Sequence, residues 1–306
     1  MQFAKAVVRK SFPVPVIILV LILAAADIHV GLAAAGFQSG LDAYRRGDYG
    51  AALEAWTPYA VRGDANAEYN IGLLFAHGQG VPKNTAAAAD WYRKAADQGV
   101  VAAEYNLGIV YAIGDGVTAD PAEAAKWFRR AADHGVVEAW NDLGTLYARG
   151  PDSFRDDAQA LECFREAAGK GIASAAFDVG LIYDMGRGVT QDYEEALKWY
   201  QQAADQGYAQ AFTNIGILYY NAQGVKRDLV QAYVWLSRGQ KMGDKRAGEL
   251  LDMATEKLRP GQLKKAQVQL EEWQPPAAAA APAVNSDQLF APPPATPATA
   301  PSRIDP

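Results

Sequence analysis

Apolar side chains recur at helical spacing through most of the chain. Between residues 65 and 76, Ile71 lies four positions after Ala67, and Leu74 and Phe75 lie three and four positions after Ile71, which places them on one face of a helix. A Gly-rich turn and a second helical segment follow, and the whole pattern returns 36 residues later. The pattern therefore predicts an all-α protein built from repeated pairs of helices, here called helix A and helix B.

The 36-residue period is carried by several columns of equivalent residues. The first glycine series is Gly72, Gly108, Gly144, Gly180 and Gly216, and the second is Gly63, Gly99, Gly135, Gly171, Gly207 and Gly243. The tryptophan column is Trp91, Trp127, Trp199 and Trp235, with Cys163 in the third copy. A fixed period of this length is typical of a solenoid, in which each unit buries its apolar face against the next.

Start and stop signals delimit helix B. The predicted N-cap residues are Asp120, Asp156, Asp192 and Asp228, and the residues three positions later are Glu123, Gln159, Glu195 and Gln231. This spacing predicts a capping box with aspartate as the cap. The second glycine series ends helix B, because glycine tolerates a positive φ.

The first glycine series lies in the middle of helix A, where glycine costs about 1 kcal/mol relative to alanine. Close packing between helices is the expected reason why glycine is present despite this cost. We expect helix A to approach helix B at paired alanines such as Ala95 and Ala96.

These motifs resemble the Sel1-like repeat, the 36-residue relative of the tetratricopeptide repeat. The resemblance implies a right-handed α/α superhelix with five repeats at residues 65–100, 101–136, 137–172, 173–208 and 209–244. Residues 36–64 resemble a tetratricopeptide-type helix pair, and residues 245–274 resemble capping helices. The third repeat departs from the pattern, because Gly150-Pro151-Asp152-Ser153 replaces Gly-x-Gly-Val. We expect its turn to differ in shape.

Both ends of the chain differ in composition from the repeats. Residues 1–35 carry a basic start, an apolar run of about 13 residues and small residues at Ala33 and Ala35, which predicts a cleaved signal peptide. A retained inner-membrane anchor is the alternative. Residues 275–306 are rich in Pro and Ala, which predicts a disordered tail.

Composition excludes several classes of function. The formal charge of −6 argues against a nucleic-acid binder. One cysteine and three histidines exclude a disulfide framework and Cys- or His-based metal centres, so no metal and no cofactor are expected. His77 and His134 occupy different positions of the repeat with no evident nucleophile beside them, so no catalytic residue is predicted.

The resemblance also implies that helix A lines a concave groove. Two positions in each repeat, three and two residues before the first-series glycine, should face this groove. The predicted partner-binding residues are Tyr69, Asn70, Tyr105, Asn106, Asn141, Asp142, Phe177, Asp178 and Asn214, with Thr213 completing the first column. Amides and carboxylates beside aromatic rings suit an extended peptide. The alternative is that the Asn/Asp column is a packing feature.

The predicted function is a non-catalytic scaffold for protein–protein interaction in the bacterial cell envelope, periplasmic or secreted. No Lys or Arg lies in the two columns, so a neutral or basic peptide or protein is the expected partner. We expect a monomer that binds no nucleic acid and touches the membrane only through an uncleaved signal segment. One alternative is a factor that binds cell-wall glycan or exopolysaccharide through the aromatic residues. A β-lactamase-like hydrolase is the other alternative. The cysteine-rich Sel1-like proteins associated with that activity carry paired cysteines, whereas this chain has one cysteine.

Overall fold

The computed structural model describes residues 36–276, and these residues form helices without any strand. Helix α1 covers residues 36–45. It is followed by α2 (Tyr49–Ala60), α3 (Ala65–His77), α4 (Thr85–Asp97), α5 (Val101–Ile113), α6 (Pro121–Asp133), α7 (Val137–Arg149), α8 (Asp157–Gly169), α9 (Ala173–Met185), α10 (Tyr193–Asp205), α11 (Ala209–Asn221), α12 (Leu229–Lys241), α13 (Ala247–Glu256) and α14 (Pro260–Glu271). The predicted signal peptide and nearly all of the predicted tail lie outside the described residues.

The described residues form two compact units that divide between Ala95 and Ala96. In the N-terminal unit, α2 packs against α3. In the C-terminal unit each helix A packs against its own helix B, and each helix B packs against the next helix A. Helix α12 is covered by α13 and α14. The repeated helix pair predicted from the 36-residue period is confirmed, while the hand of a superhelix stays a prediction.

The glycine in the middle of helix A allows the predicted close approach, but the partner on helix B was predicted wrongly. A Cβ atom added to Gly108 would lie 2.6 Å from Cδ1 of Phe128, and one added to Gly144 would lie 2.7 Å from Cδ1 of Phe164. The glycine therefore accommodates a ring or leucine side chain on helix B, rather than the alanine pair. The ring follows the tryptophan column by one residue, so the two side chains point in different directions around helix B.

Aspartate caps helix B as predicted. The second bond of the predicted capping box, from the aspartate N–H to the side chain three residues later, does not form. Asp120 Oδ1 accepts bonds from the N–H groups of Ala122 and Glu123. The N–H of Asp120 donates to the carbonyl of Tyr111 in helix A at 3.0 Å, so it is already satisfied. The Glu123 carboxylate instead accepts a bond from Trp127 Nε1 at 3.1 Å. The capping glutamate thus orients the tryptophan of its own helix.

The turn of the third repeat differs from the others, as predicted. After α5, Gly114 takes the left-handed conformation with a φ of 73°. After α7, Gly150 is extended, with a φ of −66° and a ψ of −178°. The ring of Phe154 stacks on Tyr147, with centroids 5.4 Å apart and planes 5° apart. This stacked pair gives the third turn its own shape.

No helix between residues 36 and 276 combines the length and the apolar character needed to cross a membrane. Over the same residues, His, Cys, Asp and Glu side chains do not gather in groups of three that could hold a metal ion.

Candidate functional site

The aromatic residues of the first predicted column mainly pack against helix B. Tyr69, in the N-terminal unit, is buried, and its ring lies 5.7 Å from that of Tyr92. In the C-terminal unit, the ring of Tyr105 lies 5.9 Å from that of Phe128. Phe177 is also buried. These rings help to hold helix A on helix B, which leaves little of their surface for a partner.

The predicted Asn/Asp column is buried at its ends and partly accessible in the middle. Asn70 and Asn214 are 1% and 7% exposed. Asn106, Asp142 and Asp178 are half-buried, as is Asn141 in the neighbouring column. A partner could therefore contact the column only in the second to fourth repeats. The role of all these residues in binding stays a prediction.

Two carboxylates of this column connect neighbouring repeats of the C-terminal unit. The hydroxyl of Tyr105 donates to Asp142 Oδ2 at 2.7 Å. Arg149 Nη2 donates to Asp178 Oδ1 at 2.8 Å and forms an ion pair with it. The sequence columns contained no basic residue, but the structure brings Arg149 from the end of α7 to the column. Asp178 is therefore neutralised within the chain, whereas Asp142 has only hydrogen-bond donors.

Burial sets the protonation behaviour of both carboxylates. Desolvation raises the pKa of Asp142, and the hydroxyl of Tyr105 partly offsets this rise. Desolvation also raises the pKa of Asp178, and the charge of Arg149 acts in the opposite direction. An acid whose pKa is raised on folding stabilises the fold below its unfolded pKa, and this contribution is lost as the pH rises through the folded pKa.

Replacing Asp142 by asparagine should therefore raise the melting temperature at pH 7, because a partly buried charge is removed while Tyr105 can still donate to the amide oxygen. The gain should shrink towards pH 3.5, because an aspartate with a raised pKa becomes mainly protonated as the pH falls. Thermal unfolding at both pH values measures the effect. Asp252→Asn, at an exposed position of α13, is the control and should show no such pH dependence. A stability loss at pH 7 would mean that the Asp142 charge itself stabilises the fold.

An apolar groove lies beside Asp142 in the second and third repeats. Its volume is about 820 Å³. Helix α5 contributes Ile109 and Ile113, and helix α7 contributes Asp142, Leu146 and Arg149. The altered third turn contributes Gly150 and Pro151. The groove thus combines a mainly aliphatic lining, with the ring of Phe128, and one carboxylate and one guanidinium group.

Sequence reasoning missed the aliphatic part of this groove. Ile113 is 66% exposed, which is unusual for a large apolar side chain. It lies five residues after the repeat glycine, a column that holds His77, Arg149, Met185 and Asn221 in the other repeats. An isoleucine among mostly polar equivalents was the available signal. Only Asp142, of the residues predicted from sequence, lines the groove.

The groups that most resemble catalytic residues have structural roles. Cys163 is fully buried, and burial raises the pKa of its thiol to about 11. A thiol of this kind is protonated at neutral pH and is a poor nucleophile. His134 Nδ1 lies 2.8 Å from Glu104 Oε2, where it joins an ion pair between Glu104 and Arg130. This histidine therefore belongs to a contact between helices α5 and α6.

Comparison with known proteins agrees with this architecture. The family model described as Sel1 repeat matches five times, at residues 65–100, 101–136, 137–172, 173–208 and 209–244. A Sel1 repeat protein from Oxalobacter formigenes is 30% identical, with a TM-score of 0.64 over 77% of this chain and 99% of that chain. The c5321 protein is described as a protective antigen present in uropathogenic Escherichia coli strains. It is 26% identical, with a TM-score of 0.37 over 78% of this chain and 68% of that chain. No curated protein matches the chain.

The five matches account for residues 65–244 without a gap, and they coincide with the period seen in the glycine and tryptophan columns. Proteins built from such repeats are generally scaffolds for protein–protein interaction and typically have no catalytic activity. The chain belongs to the Sel1 repeat family.

Proposed function

We propose that this protein is a non-catalytic scaffold of the bacterial cell envelope that binds a segment of a partner protein in the apolar groove. The observation that carries the proposal is the exposed Ile113 at the edge of this groove. Exposed apolar surface with a polar rim is typical of protein interaction sites. The location in the envelope is supported by the signal peptide predicted from the sequence.

The charges around the groove support a neutral or basic partner segment. Arg149 already neutralises Asp178, so Asp142 is the carboxylate that lines the groove without a cation beside it. A lysine, an arginine or a backbone N–H of the partner would satisfy this carboxylate. Aliphatic side chains of the same segment would cover Ile109, Ile113 and Leu146.

The glycan alternative has less support from the geometry. Sugar recognition would need exposed aromatic faces, but the rings of Tyr69, Tyr105 and Phe177 pack against other rings. The groove itself is lined mainly by aliphatic side chains, and its one aromatic ring, Phe128, is only 3% exposed, which leaves little flat surface for a sugar. A hydrolase has less support as well, because the only cysteine is buried and protonated.

Photocrosslinking in cells tests the proposal. A benzophenone amino acid at Ile113 should give one or a few discrete protein adducts, because the partner covers this side chain. The same amino acid at Met185, which occupies the equivalent column and is 61% exposed, is the matched control and should give several-fold less adduct. Met185 does not line the groove.

A second change within the groove makes the test specific. Thr145→Arg places a long charged side chain in the groove, and it should reduce the Ile113 adducts several-fold by occupying the space of the partner. A melting curve of the same variant confirms that the fold is retained. Equal adducts at Ile113 and Met185, or adducts that persist in a folded Thr145→Arg variant, would contradict binding in this groove.

A further inference from the structure

A second pocket is lined by residues of the fourth and fifth repeats and of the C-terminal segment, and a guanidinium group lies over two tryptophan rings there. Arg238 of α12 lies over the ring of Trp235, 4.8 Å from the centroid, and over that of Trp273, 5.4 Å from the centroid. The adjoining pocket has a volume of about 230 Å³ and is also lined by Phe212. It shares no lining residue with the apolar groove.

In the second and fourth repeats, the side chain at the same position forms hydrogen bonds within the chain. Arg130, three residues after Trp127, donates from Nη2 to the carbonyl of Ala96 at 3.0 Å. The same nitrogen lies 2.8 Å from Oε1 of Glu104, which is completely buried. In the fourth repeat, Gln202 replaces the arginine, and its amide donates to the carbonyl of Ala168 at 3.1 Å. In both repeats the side chain therefore has an acceptor in the preceding helix B.

The fifth repeat keeps the arginine of the second repeat, but its side chain makes neither of the two contacts. Phe212 stands at the position equivalent to Glu104, and the carbonyl equivalent to that of Ala96 belongs to Ala204. Ala204 and Arg238 both line the pocket, yet Nε of Arg238 has no hydrogen-bond partner there. Within residues 36–276, the side chain of Arg238 forms no ion pair or hydrogen bond, and its Nε atom is buried without a partner. Burial accordingly lowers the pKa of this guanidinium.

Arg238 thus lacks the counter-charge that Glu104 supplies to Arg130 in the second repeat. Contact with two indole rings restricts the guanidinium, so less conformational entropy remains to be lost when an acceptor binds. A carboxylate is the matching ligand, because the planar fork of arginine pairs with two carboxylate oxygens. Phe212 and Trp273 add aromatic surface for an apolar group beside that carboxylate.

We propose that this pocket binds an acidic side chain of a partner protein, with an apolar or aromatic residue next to it, and that the ligand carboxylate takes the place that Glu104 occupies beside Arg130. This contact is additional to the apolar groove and does not depend on it. Asp205 lies on the rim, where its Oδ1 accepts a bond from Gln201 at 2.7 Å. A ligand carboxylate must therefore bind away from Asp205, whose like charge would repel it.

Two blocked dipeptides test the proposal on the full chain. Acetyl-Phe-Glu-amide carries the carboxylate, and acetyl-Phe-Gln-amide is its neutral equivalent. The indole N–H signals of Trp235 and Trp273, assigned by single replacement with phenylalanine, report binding in nitrogen–proton NMR spectra. We expect the acidic peptide to shift both signals at a concentration about tenfold lower than the neutral peptide, as for a hydrogen bond to a charged group.

Two variants show whether Arg238 causes the preference for the acidic peptide. Arg238→Gln should reduce the affinity for the acidic peptide to that for the neutral one. Lys241→Gln, with the same change of charge at an exposed position of the same helix, should leave the affinity unchanged. Equal binding of the two peptides to the unmodified protein would overturn the proposal, and this comparison does not require the Arg238 variant to fold. Binding of glucuronate without binding of the acidic peptide would also overturn it, because the ligand would then be an acidic sugar.

Discussion

Replacing Gly180 by alanine should lower the free energy of unfolding by about 1 to 2 kcal/mol, although alanine is the better helix former. The new Cβ would lie 2.6 Å from Cδ1 and Cε1 of Tyr200, and 3.3 Å from the carbonyl oxygen of Ala196. Tyr200 cannot move away easily, because its ring is fully buried and its hydroxyl donates to Asp184 Oδ2 at 2.8 Å. The overpacking penalty should therefore exceed the gain in helix propensity.

Gly169→Ala is the matched control for this prediction. Gly169 is the last residue of α8, and an added Cβ would meet no atom within 4 Å. The same substitution should leave stability unchanged there or raise it by up to about 1 kcal/mol. Urea unfolding of the two variants measures the difference. If Gly180→Ala were as stable as Gly169→Ala, close packing would not explain the glycine in helix A.

Replacing Arg130 by glutamine should cost about 2 kcal/mol, because it leaves the buried carboxylate of Glu104 without its cation. Glutamine is the residue of the fourth repeat at this position, so the bond to the Ala96 carbonyl can still form. The loss should be smaller than for a fully buried pair, since the side chain of Arg130 is 37% exposed and His134 still contacts Glu104.

A second substitution separates the charge from the packing. Glu104→Gln removes the buried charge but keeps the shape of the side chain, so the double variant Glu104→Gln with Arg130→Gln should recover at least half of the loss. Urea unfolding of the two single variants and the double variant gives the coupling energy. Additive losses would show that Glu104 and Arg130 contribute independently, in contradiction to the proposed pairing.

Local sequence signals determined the helices and the repeat. The apolar spacing predicted helix A over residues 65–76, and α3 extends over Ala65–His77. The aspartate caps and the glycines after helix B were also predictable. These features depend on hydrogen bonds and backbone preferences within a few residues, and every copy repeats the same signal.

The partners of individual side chains were decided only by the tertiary structure. Glu123 accepts a bond from Trp127, four residues later in the same helix. Its carboxylate is available for this bond because the N–H of Asp120 donates to the carbonyl of Tyr111 in helix A. The prediction of a capping box failed because it considered one helix in isolation. The prediction that the alanine pairs contact the glycine was wrong for a similar reason. Spacing along helix B does not show which side chain points towards helix A.

The apolar groove was likewise predictable in part from the sequence and in part only from the tertiary structure. The sequence pointed to helix A, and one predicted residue, Asp142, does line the groove. Its aliphatic lining escaped prediction because exposure depends on packing between repeats, whereas the periodic pattern describes each repeat separately. Arg149 reaches Asp178 from 29 residues away, and Tyr105 reaches Asp142 from 37 residues away. The amino-acid sequence by itself determined the repeating helical frame, because that frame is local, and only the stacking of the repeats decided which polar groups are paired and which surface stays open.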